Sequence, residues 1–325
     1  MSKNIVIITE KPEISRHILP VAVELNPSSN ITFVHTLAIG LYDFKYPRNL
    51  KMHDFPIILK PQWKPRNLEG NACKPHQMIK GELVAMNLTI QQVFANADKI
   101  IFALPPDRTG IHAFQVLLSQ CCSEVVLNQR IQAVVFHTLS AKDIKSAFER
   151  NDSTEDAWFI NGYKEAEAKK HFDYNFNVNS AVIFGEVLTT VGVDRSKFIL
   201  SKYGLVILYY LRSVKQILDG ELLSRMCNKW VGTGKYQGGN VGSVISRWEI
   251  IHQMIDVGLV KYDGRYLKLA EKGELFLSKL HPDCCDLDLP FRLDLWFNEG
   301  LTSIPKIDKY IRTLFGKQKR LFNKI

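Results

Sequence analysis

The sequence predicts an α/β domain, with a parallel sheet and helices on both faces, followed by a mainly helical domain. Short apolar runs alternate with helical stretches in the first half, which is typical of a parallel sheet. Helical stretches dominate the second half. A length of 325 residues suits about two domains of roughly 100–200 residues each. We expect them at 1–155 and 156–325, because the polar segment Asn151–Asp156 separates the two halves.

The elements of the first domain follow from their apolar spacing. Short apolar runs predict strands at Ile5–Thr9, Ile31–His35, Lys99–Leu104 and Ala133–Phe136. Helical periodicity predicts helices at Pro12–Leu25, Ile79–Ala97, Gly110–Leu118 and Ala141–Arg150. The stretch from Tyr42 to His76 is rich in Pro, Trp, Lys and Arg and is predicted to be a long irregular excursion.

The second domain ends in a pattern typical of a winged helix. Helices are predicted at Lys164–Tyr174, Lys202–Leu218 and Ser246–Val257. A hairpin is predicted over Leu259–Leu269, with Asp263 and Gly264 at its turn. The tail from Lys306 to Lys324 carries seven Lys or Arg and one acid, Asp308.

Charge and cysteine content narrow the class of protein. The net charge of +9 favours a polyanionic partner, either nucleic acid or an anionic membrane surface. No apolar run approaches the roughly 20 residues of a membrane span, and the first residues do not resemble a signal peptide. The cysteines form no C-x-x-C pair, which argues against zinc; they are Cys73, Cys121, Cys122, Cys227, Cys284 and Cys285. We therefore expect a cytoplasmic protein with reduced thiols and no membrane partner.

Two acidic residues follow predicted strands of the sheet. Glu10 comes directly after the first strand, and Asp107 follows the strand that ends at Leu104. Ligands of open α/β sheets bind outside the carboxyl ends of the strands, and carboxylates there suit Mg²⁺. The alternatives are that Glu10 caps or pairs locally and that Asp107 caps the following helix.

The first domain resembles the Toprim domain of type IA DNA topoisomerases. Glu10–Pro12 matches the family's E-K-P, and Pro105–Ile111 aligns with its D-P-D-R-E-G-E. The resemblance implies vestigial catalytic residues at Glu10, Asp107 and Arg108, with Glu10 and Asp107 as ligands of Mg²⁺. Pro105, Thr109 and Ile111 replace acidic family residues. The implied Mg²⁺ site is therefore weak, and no other cofactor is expected.

The second domain resembles the topoisomerase domain that holds single-stranded DNA. Ala168–Tyr174 resembles A-R-R-x-x-D-Y, and Gly242–Ile251 resembles G-T-P-A-T-R-A-x-I-I. We predict that Ser246 caps the helix that Arg247 begins, and that Trp248 stacks on a base. The full set of expected DNA-binding residues is Lys11, Lys169, Lys170, Arg195, Ser246 and Arg247. The alternatives are core packing for Trp248 and a solvated helix face for the two lysines.

The strand-cutting tyrosine of that family has no counterpart. The family carries it in a Y-x-R-T-D motif on a large arch, whereas Ser213–Asn240 is too short for an arch. Tyr46–Asn49 mimics the motif but falls in the excursion of the first domain. Loss of the nucleophile removes covalent strand transfer. We therefore expect a catalytically degenerate accessory protein that binds single-stranded or melted DNA.

Two other interpretations remain at this stage. One is an enzyme, either a Mg²⁺-dependent nickase or nuclease using Glu10 and Asp107 or a residual topoisomerase. The other is a subunit of a DNA-processing complex, in which another chain supplies the arch or an acidic protein binds the basic surface. Truncated relatives of this kind suggest a plasmid, a phage or another mobile genetic element.

Overall fold

A computed structural model describes residues 2–37, 40–68, 74–79, 82–122, 130–236 and 238–323, with only the backbone of Val244 and Ile245. Cys73 and Lys324 lie outside these residues. The chain divides into two compact units: Met1–Lys45 with Gln62–Glu167, and Tyr46–Pro61 with Ala168–Ile325. The first unit therefore extends beyond residue 155, and Tyr46–Pro61 belongs to the second unit although we expected it in the first domain.

The first unit contains a mixed sheet that is mostly parallel. Its strands are β1 (Asn4–Thr9), β2 (Asn30–His35), β5 (His76–Ile79), β6 (Glu82–Ala85), β7 (Lys99–Phe102) and β8 (Gln132–Ala133). Among the described residues their order is β6-β5-β2-β1-β7-β8, with β5 and β6 antiparallel to their neighbours. Two further strands, β3 (Tyr42–Phe44) and β4 (Trp63–Pro65), pair with each other inside the excursion that we expected to be irregular.

Helices cover both faces of this sheet. They are α1 (Pro12–Leu25), α2 (Ile90–Ala95), α3 (Arg108–Cys121), α4 (Ala141–Glu149) and the beginning of α5 (Ala157–Asn179). On one face Val6 and Ile8 pack with Phe114 of α3. On the other face Ile7 packs with Ile18 of α1. The central strands are thus buried on both sides, as a continuous apolar run predicts.

The predicted helix Ile79–Ala97 is largely wrong. Two strands, β5 and β6, occupy its beginning, and only Ile90–Ala95 is helical, starting at the Thr89 cap. Side chains of Glu82–Ala85 alternate between exposed and half-buried, which suits a strand that pairs at the sheet edge. Short apolar segments fit both periodicities, and pairing with β2 decided this one.

The second unit is mainly helical. It contains a π-helical turn at Ser180–Phe184 and the helices α6 (Gly185–Thr189), α7 (Lys202–Val214), α8 (Asp219–Met226), α9 (Val244–Asp256), α10 (Glu271–Ser278), α11 (Leu289–Asn298) and α12 (Ile304–Phe322). Its strands are β9 (Ile217–Leu218), β10 (Val260–Asp263) and β11 (Tyr266–Leu269). The predicted hairpin is confirmed, with Gly264 at φ +58 in its turn. The predicted helix Lys202–Leu218 ends early, because β9 follows it.

An aromatic core holds these helices together. The Phe315 ring of α12 lies 5.3 Å from that of Phe176 and 5.0 Å from that of Phe184, and all three side chains are fully buried. Each of these rings buries a large apolar area. Burial of apolar surface is the main favourable contribution to the free energy of folding. None of the helices in the described residues is long and apolar enough to cross a membrane.

Residues 46–61, which we call the strap, are tied to α5 by two buried asparagines. Asn175 accepts a hydrogen bond from Leu59 N at 2.7 Å and donates one to Leu59 O at 2.9 Å. Asn179 does the same to Ile57, at 3.0 and 2.8 Å. A side-chain amide has the donor and acceptor of a peptide group. The helix therefore offers the strap the partners that a neighbouring strand would offer.

We expect Asn175→Ala to lower the free energy of unfolding by about 1–3 kcal/mol, because the N–H and C=O groups of Leu59 lose their partners. Chemical denaturation followed by circular dichroism measures the change. Asn161→Ala is the matched control, since it makes the same substitution at an exposed position of the same helix. Equal stability of the two variants would contradict a stabilising role for the hydrogen bonds between Asn175 and Leu59.

Candidate nucleic-acid interface

The two acidic residues predicted as a metal site follow neighbouring strands. Strands β1 and β7 pair in parallel, with Ile8 opposite Phe102, so their carboxyl ends lie at the same edge of the sheet. Glu10 follows β1 directly, and its carboxylate lies 4.0 Å from the ammonium of Lys11. This is the local pairing considered as an alternative for Glu10.

Asp107 has a structural task at the start of α3. Its Oδ1 accepts hydrogen bonds from Thr109 N and Gly110 N, both at 2.8 Å. The next residue, Arg108, donates from Nε to Glu165 Oε2 at 2.7 Å. A carboxylate at this position satisfies N–H groups that have no partner in the helix. The prediction that Asp107 caps the following helix is confirmed.

These residues do not fit a dedicated Mg²⁺ site. One oxygen of Asp107 already takes two N–H donors, and Glu10 is next to a cation. In the described part of the chain, no group of three or more His, Cys, Asp or Glu side chains is arranged to hold a metal ion. Mg²⁺ prefers several oxygen ligands in near-octahedral geometry. No chemical step through a metal follows from this arrangement.

A buried serine–histidine pair lies beside Glu10 and was not foreseen from the sequence. Ser15 Oγ is 2.9 Å from His35 Nε2 and 2.8 Å from Thr9 Oγ1. All three side chains are buried, with at most 1% of their surface exposed. A nucleophile must reach its substrate, so this network instead joins β1, β2 and the first turn of α1.

Lys169 takes part in a largely buried ion cluster. Its ammonium donates to Asp173 Oδ2 at 2.7 Å, and Lys202 donates to the other carboxylate oxygen. Burial alone would raise the pKa of Asp173, but the two ammonium groups outweigh it and hold that pKa well below its usual range. Lys169 therefore balances a buried charge between α5 and α7.

Arg195 and Lys170, which were also predicted to contact phosphates, are paired with an acid or only partly exposed. The Arg195 guanidinium forms an ion pair with Glu186 and is about half exposed. Lys170 is half-buried on α5. Lys169 and Arg195 thus each form an ion pair within the second unit.

Ser246 and Arg247 have different roles from those predicted. Ser243 caps α9, and Ser246 accepts a hydrogen bond in return from Ser243 N at 2.8 Å, which forms a capping box. Arg247 is only 7% exposed; it donates to Val241 O at 3.3 Å and to Asn240 Oδ1 at 3.0 Å. Arg247 therefore braces the loop before α9. Because the N-cap residue is Ser243, the prediction that Ser246 caps the helix is wrong.

The exposed face of α9 is aromatic and acidic. Trp248 is 41% exposed, so its predicted alternative, core packing, is wrong. Its ring lies 5.3 Å from that of His252 one turn later. Glu249 and Asp256 are exposed on the same helix, whose one cation is the buried Arg247. This helix suits an unpaired base better than a row of phosphates.

The hairpin after α9 carries the cations that the helix lacks. Lys261 and Arg265 are exposed, and Lys268 pairs with Asp263 across the turn. Strand β9 completes the small sheet in the order β10-β11-β9. The module from α7 to β11 therefore presents an aromatic helix face and a basic hairpin.

We expect Arg247→Ala to destabilise the protein by about 2–3 kcal/mol, because two acceptors of the loop before α9 lose a charged donor. Arg265→Ala removes an exposed arginine of the hairpin and should change stability by less than about 0.5 kcal/mol. Thermal and urea unfolding of both variants decide this. If Arg247→Ala were as stable as Arg265→Ala, Arg247 would not be the brace described here.

Comparison with known proteins adds no family to these observations. No protein-family model matches the chain, and no curated protein matches it.

Proposed function

We propose that the protein binds single-stranded or melted DNA as an accessory factor without strand-cutting chemistry. The observation that carries the proposal is the order of elements from α7 to β11. Helix, short strand, two helices and a hairpin, with β9 beside β11, is the order of a winged helix. In helix-turn-helix proteins the second helix of the pair contacts bases. Here that helix is α9.

The chemistry of α9 favours unpaired bases. A helix that enters a duplex groove passes between two rows of phosphates, where Glu249 and Asp256 would be repelled. The exposed indole of Trp248 offers a flat surface on which a free base stacks, whatever its identity. The exposed cations Lys261 and Arg265 of the hairpin supply phosphate contacts nearby in the same module.

A relation to type IA topoisomerases stays part of the proposal. It accounts for an α/β first unit with a mostly parallel sheet, for acidic residues after β1 and β7, and for a mainly helical second unit. The missing tyrosine and the local tasks of Glu10 and Asp107 argue for binding rather than cutting. A protein partner and an origin in a mobile element remain predictions of the sequence.

We expect the wild-type protein to prefer a single-stranded oligonucleotide to the same sequence as duplex. Trp248→Ala should weaken single-strand binding by about 1–3 kcal/mol, since one stacked base loses its aromatic partner. Trp248→Phe should retain much of the affinity. Fluorescence anisotropy with labelled oligonucleotides measures all of these.

Leu295→Ala is the control, because it removes another exposed apolar side chain of the second unit, 52% exposed, outside the module. Its affinity should equal that of the wild type. A duplex preference, or Trp248→Ala binding single strands as tightly as the wild type, would contradict the stacking account.

A further inference from the structure

Positive charge is concentrated in two segments that lie far apart in the sequence. The strap and α12 together hold nine Lys or Arg and two Asp, a surplus of seven, while the whole chain has +9. The nine are Arg48, Lys51, Lys60, Lys306, Lys309, Arg312, Lys317, Lys319 and Arg320. Nearly all of the net charge therefore belongs to about a tenth of the chain.

Folding joins these two segments into one surface. Lys319 of α12 donates to His53 O at 3.0 Å and to Phe55 O at 2.7 Å. Pro56 Cγ lies 3.7 Å from the position that a Cβ on Gly316 would take. Asn179 and Asn175 of α5 also hold the strap, at Ile57 and Leu59. Both contacts are internal to the second unit.

Most cations of this surface are available to a ligand. Four residues of α12 share one face of the helix because consecutive members are three or four residues apart: Lys309, Arg312, Gly316 and Arg320. Exposed side chains that form no ion pair within the described residues are Arg48, Lys51, Lys60, Lys309, Arg312 and Arg320. Of the other three cations, Lys306 and Lys317 pair with Glu299 and Asp283, and Lys319 is bonded to the strap.

The two acids of these segments, Asp54 and Asp308, are both engaged in local hydrogen bonds. Asp54 accepts a hydrogen bond from Lys51 N at 2.7 Å at the start of a short 3₁₀ turn and lies 3.2 Å from the His53 ring. Asp308 is bonded to His171 Nε2 at 2.7 Å. We call the strap together with the exposed face of α12 the strap–helix surface.

We propose that the strap–helix surface holds the sugar-phosphate backbone of single-stranded DNA. Forked guanidinium and ammonium donors suit phosphate oxygens, and such contacts position a strand without reading its sequence. The inference rests on the proposed function and adds where the backbone is held. Trp248 and the β10–β11 hairpin would bind bases and local phosphates, and the strap–helix surface would supply most of the electrostatic affinity.

Two other polyanionic partners fit this surface less well. An amphipathic helix binds a membrane by burying its apolar face in the bilayer, but Ile307, Ile311 and Leu314 of α12 are already buried in the protein. Protein interfaces have apolar and aromatic centres. None of the large hydrophobic side chains that are exposed in the described residues belongs to the strap or to α12.

The test is the salt dependence of binding to a labelled oligothymidine. The variant Lys309→Gln/Arg312→Gln/Arg320→Gln removes three contacts, which should lower the magnitude of the log-log slope by roughly 2, at roughly 0.7 per contact. If the affinities converge near 1 M salt, that slope difference corresponds to roughly a hundredfold loss at 0.1 M. The conservative variant Arg312→Lys/Arg320→Lys should keep the wild-type slope.

A matched control separates local contact from net charge. Lys3→Gln/Arg16→Gln/Lys142→Gln removes three exposed cations of the first unit and should stay within about threefold of the wild type, as expected for charges that touch no phosphate. Equal losses in the two triple variants would overturn the proposal. Circular dichroism and thermal unfolding establish that each variant is folded.

Failure of the inference differs from failure of the proposed function. If the wild type binds oligothymidine and the α12 triple variant binds it equally well, only the strap–helix assignment falls. If the wild type binds no DNA at either salt concentration, the proposed function falls with it. Binding to phosphatidylserine vesicles or poly-glutamate that depends on the α12 cations, without such dependence for DNA, would replace DNA by a membrane or an acidic protein.

Discussion

The side-chain amides of Asn175 and Asn179 hold the backbone of Ile57 and Leu59 against α5. The peptide groups of Ile57 and Leu59 would otherwise lose water on packing without gaining partners, which is costly for each group. Each asparagine supplies one donor and one acceptor, four residues apart on the helix, and so matches alternate residues of a strand. The position of the strap, and therefore of Arg48, Lys51 and Lys60, depends on this pair.

Charge placement in the second unit follows from how the cations are used. Lys169 and Lys202 both pair with the half-buried Asp173, and Arg247 braces the loop before α9. Removing Asp173 from this set would leave two ammonium groups without a counter-charge. Among the cations that remain exposed, the strap and α12 hold six that form no ion pair within the described residues. The residues that form internal ion pairs thus differ from those proposed to bind DNA.

Sequence patterns predicted the strong elements of the fold and missed those decided by pairing. Strand β1, helix α1 and the β10–β11 hairpin have clear periodicity and turn residues, and the structure has them where expected. The β5–β6 hairpin was mistaken for a helix, since its short apolar segments fit either period. Asp107 as a helix cap was foreseen as an alternative, because an acid before a helix has a known local task.

The candidate site was less predictable for a physical reason. Residue type marks Lys169, Arg195 and Arg247 as phosphate contacts, but only the folded chain shows that an acid or a carbonyl already occupies each one. The basic tail from Lys306 was visible in the sequence. Its union with the strap, more than 260 residues away in the chain, was not, because it depends on long-range contacts of Lys319.

The most direct test of the proposed DNA-binding surface is lysine footprinting by acetylation and mass spectrometry, with and without a saturating single-stranded oligonucleotide. We expect DNA to reduce labelling at exposed lysines of the second unit, namely Lys51, Lys60, Lys261 and Lys309. Labelling of the exposed Lys3, Lys64 and Lys142 in the first unit should not change. Protection confined to the first unit, at Lys11 beside Glu10, would contradict the account. It would indicate that DNA binds at the edge of the sheet where Glu10 lies.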